Sequence, residues 1–324
     1  MNFVKTHAGP LLLALAAGAL LIHPTYPPLF QGFQAARIRV NRWLHRPIAY
    51  AYWDEERQLP LVHYGTVYGA DYGTRFNPLI ACQWALERVL PHDTAAFVDL
   101  VRRIRRQLPP DLYWRYDFAL PDYGFPEGWT SAFTQALLAE ALARAGMYSG
   151  DTSLLRDAQR ALQPLAQEVA FGGTTLPLPD TGLWFLEYAW PPGPYPRVLN
   201  GMIWVLLSLH TLHTLMGDSL AFQLFQEGEA ALRRCLPLYD LKGWSTYDLL
   251  GHPASETYQG MHVRLLGRMA DLTGNATYRR WQRRWALGFH NPLRARIAWG
   301  LYGLEVLLLW GILELVFRAF RRSR

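Results

Sequence analysis

Cysteine is scarce in this chain of 324 residues, with two in all, Cys82 and Cys235, both in apolar stretches of helical spacing. They read as small core residues and carry no message about the redox compartment. Charge is thin as well: 18% of residues are charged against 51% hydrophobic. There is no nucleic-acid reading helix and no zinc motif, so the net charge of +6 does not point to duplex DNA. Many of the arginines sit near the two ends, where they suit lipid headgroups or an acidic polymer. His210 and His213 share a helical face, but no third ligand stands at metal spacing, which argues against zinc and for a satisfied pair. No repeat of fixed period is visible either.

What the chain does have is length for one large helical domain or two small ones, and aromatic side chains in quantity. Its 13 tryptophans and 17 tyrosines are the platforms on which a pyranose stacks its C–H face. Helical toroids and membrane interfaces use aromatics too, so this alone does not define a ligand.

Residues 10–22, PLLLALAAGALLI, form a short apolar run that suits a signal-peptide core or short anchor. A basic amphipathic stretch with Arg37, Arg39, Arg42 and Arg46 follows and could lie on a headgroup surface. At the other end, residues 298–317 are long and apolar enough to cross a bilayer, although Glu305 and Glu314 are costly there. Arginines follow both segments, and the positive-inside rule cannot satisfy both with one domain between them. The expected organisation is therefore a signal or anchor segment with its linker (1–46), a globular domain (47–291) and a transmembrane helix with a basic tail (292–324). The domain is expected on the non-cytoplasmic side of a membrane, with the orientation open.

Within the globular part, residues 48–75 alternate polar and apolar positions around turn signals and predict short strands. Helical periodicity then predicts helices at 78–90, 94–107, 129–146, 152–169, 198–216, 218–236, 256–273 and 275–288, with Asp93 and Asp151 as N-caps. A strand-like excursion, 169–188, interrupts the series. Antiparallel helix pairs in series predict a mainly α fold, an α/α-toroid of about four pairs with a few short β-strands, whose cavity lies at one end. A looser helical bundle is the alternative.

The chain is organised around 184–212, WFLEYAWPPGPYPRVLNGMIWVLLSLHTL. Here Glu187 and Tyr188 stand between Trp184, Phe185 and Trp190, and an apolar wall would make the carboxylate a better base. Taken alone, the pair also fits a strand end with a satisfied side chain. Three other stretches would reach the same rim. Residues 68–84 contribute Tyr68, Asp71, Tyr72, Arg75 and Asn77; 126–138 contribute Trp129, Ser131 and Gln135; 243–266 contribute Tyr247, Asp248, His252, Tyr258 and His262. His262 points either at the cavity or at the core, and Asn200 reads as a cap for the helix that it opens.

These four stretches, FNPLIACQWAL, GWTSAFTQ, LEYAWPPGPYPRVLNG and STYDLL with ETYQGMHV, in this order, resemble the C-terminal catalytic domain of the glucuronyl 5-epimerases that act on heparosan and heparan sulfate precursors. The resemblance covers roughly 60–290. It implies an α/α-barrel, inversion at C-5 of a uronate within a polymer, no organic cofactor, and a homodimer. It places the catalytic glutamate on Glu187 with Tyr188 beside it, and the two active-site tyrosines on Tyr247 and Tyr258. Two departures stand out: Leu250 where that family carries arginine after Tyr-Asp-Leu, and a shorter loop between the two tyrosines. The family's N-terminal β-sandwich has no expected counterpart.

The C-5 proton is α to a carboxylate, so its loss builds an enolate-like dianion. An enzyme must neutralise that charge and place a base and an acid on opposite faces. Glu187 is expected on one face and Tyr258 on the other, with Tyr247 sharing the proton and Arg75 or Arg197 holding the substrate carboxylate. Tyr72, Asn77, Trp129, Gln135, Asn200 and His262 complete the expected substrate contacts. The leading expectation is a membrane-anchored epimerase converting D-glucuronate to L-iduronate in an acidic polysaccharide. Membrane lipid is its second partner, and nucleic acid and metal have no part. A lyase using the same proton abstraction and a non-catalytic glycan-binding protein are the alternatives.

Overall fold

The computed structural model describes residues 13–15, 50–65, 72–289, 300, 303–313 and 315–316. The proposed signal segment and basic linker fall outside these apart from 13–15, as do Tyr68 and Asp71. Two strands, β1 (Tyr50–Asp54) and β2 (Leu59–His63), pair antiparallel, and the two-residue β3 (Thr74–Arg75) adds to β2. Eight α-helices follow within residues 72–289. They are α1 (Pro78–Trp84), extended by a π-helical turn (Ala85–Val89), α2 (Thr94–Arg106), α3 (Ala132–Ser149), α4 (Thr152–Leu162), α5 (Leu199–Met216), α6 (Ser219–Cys235), α7 (Glu256–Thr273) and α8 (Ala276–Phe289). A hairpin of β4 (Thr175–Leu178) and β5 (Gly182–Phe185) lies between α4 and α5.

Composition sorts these helices into two layers. α3 and α5 are apolar nearly all round, and nearly every side chain from Ala132 to Ala143 and from Leu199 to Leu209 is buried. Such helices belong inside. α2 and α4 bury one stripe each, Phe97, Val98, Leu100, Val101 and Ile104 on the first and Leu154, Ala158, Ala161 and Leu162 on the second, and turn their arginines outward. The contacts follow this sorting. α1, α3, α5 and α7 pack in series as an inner arc, while α2, α4, α6 and α8 each back onto the arc. This is the paired-helix arrangement of an α/α-toroid.

Local chemistry sets the helix starts. Asp93, Ser131, Asp151, Asp218 and Ser255 each accept a backbone N–H of the first turn of α2, α3, α4, α6 and α7. α5 starts one residue later than expected and has no side-chain cap; its Leu199 N–H donates instead to the carbonyl of Tyr247 at 3.0 Å. Asn200 is thus not a cap, because its amide is turned elsewhere. Gly228 lets α6 close on β5 and α5: a Cβ there would meet Phe185 at 2.6 Å and Leu206 at 2.7 Å.

α5 is apolar and long enough to cross a membrane by composition, yet it is a core helix. The C-terminal helix α9 (Gly303–Leu313) is shorter within the described residues and leaves Leu304, Leu307, Leu308 and Ile312 exposed.

Candidate active site

Two of the inner helices, α1 and α3, begin at one cavity, and the starts of α5 and α7 reach its Glu187 through Asn200 and, by way of Tyr247, through Tyr258. Asn77 caps α1 and Ser131 caps α3, and both line the cavity. Asn200 lies in the first turn of α5 and Tyr258 in the first turn of α7. Helix starts carry unpaired N–H groups and the positive end of the helix dipole, so this end of the arc suits an anionic ligand. The cavity, about 150 Å³, is walled by Tyr64, Tyr116, Phe118 and Trp129 around Glu187 and Tyr188.

Glu187 enters from the strand end that follows β5. Three backbone bonds, a reciprocal pair between Thr130 and Ala189 and one from Ala132 N–H to the Leu186 carbonyl, staple this segment to the start of α3. Glu187 is 6% exposed. Asn200 Nδ2 donates to Oε2 at 3.2 Å, and Tyr247 OH approaches Oε1 at 3.5 Å, the outer limit of a hydrogen bond. The Tyr188 and Tyr247 hydroxyls lie 3.1 Å apart, and the Tyr258 ring packs on the Tyr247 ring at 4.6 Å. Glutamate and phenols distant in sequence therefore form one cluster.

Burial pushes the Glu187 pKa up to about 7, against the hydrogen bonds of Tyr188, Tyr247 and Asn200, which pull it down. A carboxyl tuned so close to neutrality can exist in either protonation state at working pH. Burial also raises Tyr188 and Tyr247 well above the usual phenol range, with the Glu187 charge adding to it. Tyr64 and Tyr258 rise to about 12, again through burial. The phenols are thus protonated and act as donors.

Gly201 is the close neighbour that this geometry requires. A Cβ on it would sit 2.3 Å from Glu187 Oε2, so any side chain there displaces the carboxylate. Trp129 is held flat against Tyr116, rings 3.8 Å apart and nearly parallel, with Nε1 donating to the Phe118 carbonyl. It offers a rigid apolar wall.

Several expected contacts lie elsewhere. Gln135 is fully buried and spent on backbone: its Nε2 donates to the carbonyls of Leu112 and Ala161, and its Oε1 accepts from Trp114 N. It secures the loop below the cavity and touches no ligand. His262 is buried in the core, not in the cavity. Its Nδ1 meets Ser245 Oγ at 2.7 Å, within a network in which Gln259 binds Ser245 and the Trp285 carbonyl. Burial lowers its pKa to about 3 and keeps it neutral. The network fixes the strand leading to Tyr247 against α7, which carries Tyr258. Arg197 gives its carbonyl to Tyr239 OH, and its charge acts on Cys235 and Tyr239. Arg75 pairs with Asp117 and lies over the Phe118 ring, at the edge of the cavity wall, with Nε bound to the Tyr72 carbonyl; Tyr72 packs on the same ring. Asn77 Nδ2 donates to Tyr64 OH at 2.7 Å.

Tyr64, Tyr116 and Phe118 escaped the reading of the sequence. Tyr64 falls in the alternating strand region, where a phenol is an ordinary outward residue. Tyr116 and Phe118 sit in the irregular segment before α3, which has no periodicity to read. A Tyr-x-Phe spacing opposite the Gly-Trp-Thr stretch was the available signal.

The model of the D-glucuronyl C5-epimerase C-terminus family matches residues 110–287, a span that contains Glu187, Tyr188, Tyr247 and Tyr258. An uncharacterised protein of Methanocaldococcus jannaschii is 32% identical over 177 residues, 54% of this chain and 57% of that protein. D-glucuronyl C5-epimerase of Caenorhabditis elegans is 30% identical over 191 residues, 53% of this chain and 30% of that enzyme. The chain thus matches between about a third and somewhat over half the length of these relatives. Among solved structures, cellobiose 2-epimerase from Bacillus thermoamylovorans aligns with a TM-score of 0.44 at 16% identity, over 64% of this chain and 59% of that one.

Proposed function

Because the chain belongs to the D-glucuronyl C5-epimerase C-terminus family, we propose that it inverts C-5 of a hexuronate, D-glucuronate to L-iduronate, within an acidic polysaccharide. One observation carries this reading: a single buried carboxyl near neutral pKa, within reach of a phenol, in an aromatic cavity at the starts of α1 and α3. Glu187 removes the C-5 proton. Tyr247, within reach of Glu187 Oε1, with Tyr188 behind it, relays or shares that proton. The second face falls to another phenol. Tyr64 is a better candidate than Tyr258, because it lines the cavity with Glu187, whereas Tyr258 is not among the lining residues and packs on the Tyr247 ring. The dianion formed by deprotonation finds the helix starts and the ring of phenolic donors, and Arg75 at the rim gives up Asp117 to meet the substrate carboxylate. None of these roles calls on an organic cofactor.

The product identifies the reaction. Incubation with a glucuronate polymer yields iduronate, seen by NMR, and no ultraviolet-absorbing unsaturated ends. Appearance of those ends instead would make the chain a lyase. No change in the polymer alongside tight binding would make it a glycan-binding protein. We propose further that α9 anchors the chain in a membrane, on the strength of its exposed leucines.

A further inference from the structure

The loop after Tyr247 holds a second polar centre that the proton chemistry does not use. Asp248 is completely buried, yet its carboxylate accepts four donors: Tyr123 OH at 2.9 Å, His252 Nδ1 at 2.7 Å, and the backbone N–H groups of Leu250 at 3.0 Å and His252 at 3.2 Å. The imidazole that it holds is 58% exposed. The same carboxylate that ties this loop together and to Tyr123 also holds the exposed imidazole, and the neighbouring Leu250 is itself 48% exposed. Asp248 fixes His252 through Nδ1 and turns Nε2 outward, as carboxylates do for ligating histidines.

The direction in which Nε2 is offered follows from the rings beside it. His252 stands edge-on to Tyr123, 6.3 Å between ring centres, and Tyr123 stands 5.2 Å from Tyr188, which lines the cavity. Two aromatic rings thus separate His252 from the sugar at Glu187. It stands outside the cavity, at a distance that one further sugar of a polymer could span. Resting on the epimerase reading, we propose that His252 is a substrate-binding residue for a second acidic sugar of the same polymer, flanking the one that reacts. The imidazole sits between two carboxylates, Asp248 behind and the polymer's in front, with one ring nitrogen for each. Tyr123 and Asp248 are positioning residues: they reach the polymer only through His252.

The test uses the full chain and two probes, an oligosaccharide with a single glucuronate and a longer one carrying three. Affinities are measured by calorimetry for the wild type, His252→Gln and His252→Arg, and C-5 exchange in deuterated solvent is followed alongside. His252→Gln weakens the three-uronate ligand about tenfold, the scale of one charge-assisted hydrogen bond, and changes the single-uronate ligand less than threefold. His252→Arg restores the longer ligand, which a merely structural imidazole would not allow. Equal affinities of wild type and His252→Gln for both ligands overturn the subsite and leave the epimerase reading intact if the wild type still exchanges C-5. A wild type that neither binds nor exchanges either ligand removes both.

Discussion

Glu187 carries an energetic penalty that its chemistry explains. A carboxyl whose pKa rises from the usual 4.5 to about 7 is destabilising when charged, by about 3 kcal/mol. The folded pKa lies above the unfolded one, so the penalty is absent below about pH 4.5, grows between 4.5 and 7, and is complete above. Glu187→Gln therefore raises the melting temperature at pH 8 and leaves it nearly unchanged at pH 4; equal shifts at both would show that the carboxyl is not tuned by burial. The same titration shapes activity. Since the base is the ionised form, kcat/KM climbs about tenfold per pH unit below pH 6 and levels above 7. Gly201→Ala brings a Cβ to 2.3 Å from Glu187 Oε2, and such overpacking costs about 1–3 kcal/mol. The activity of this variant falls at least tenfold through displacement of the carboxylate, measured at a temperature where it is still folded.

At the scale of elements, inner helix starts border the proposed site, whereas the outer ones serve the fold. Asp218 caps α6 on the outer layer, accepting from Ala221 N at 2.9 Å. Asp218→Ala should lose about 1 kcal/mol of stability with its turnover unchanged, as read by denaturant unfolding beside an activity assay. The helices themselves were legible, because eight stretches of 3.6-residue period survive in a chain with few competing signals, and Asp93 and Asp151 cap where a polar residue precedes such a stretch. The start of α5 was not. An Asn before an apolar run reads as a cap, and only the fold brings Glu187 within 3.2 Å of Asn200 and a Tyr247 carbonyl over the helix start. Gln135 and His262 misled for a related reason: a polar residue in the first turns of an inner helix can face the cavity or the opposite wall, and periodicity does not say which. Tyr64 and Tyr116 were illegible because the segments that carry them have no helical period and meet the site only through the packing of α1 and α3.

For the whole molecule, α9 is the element whose apolar side chains the fold does not cover. Leu307, Leu308 and Ile312 are exposed on α9, and exposed side chains of this size on one helix imply an apolar partner. Replacing all three with glutamine releases the chain from lipid vesicles in a flotation assay, whereas continued flotation would place the anchor elsewhere. The proposed reaction depends on Glu187 touching the C-5 proton. The most direct measurement is deuterium incorporation at C-5 of a defined glucuronate polymer in heavy water, with wild type and Glu187→Gln side by side. The wild type should label C-5, and the variant should fall at least about a hundredfold, the usual worth of a positioned base. Equal labelling by the two proteins would contradict the account, since the carboxyl at the centre of the cavity would then play no part in moving the proton.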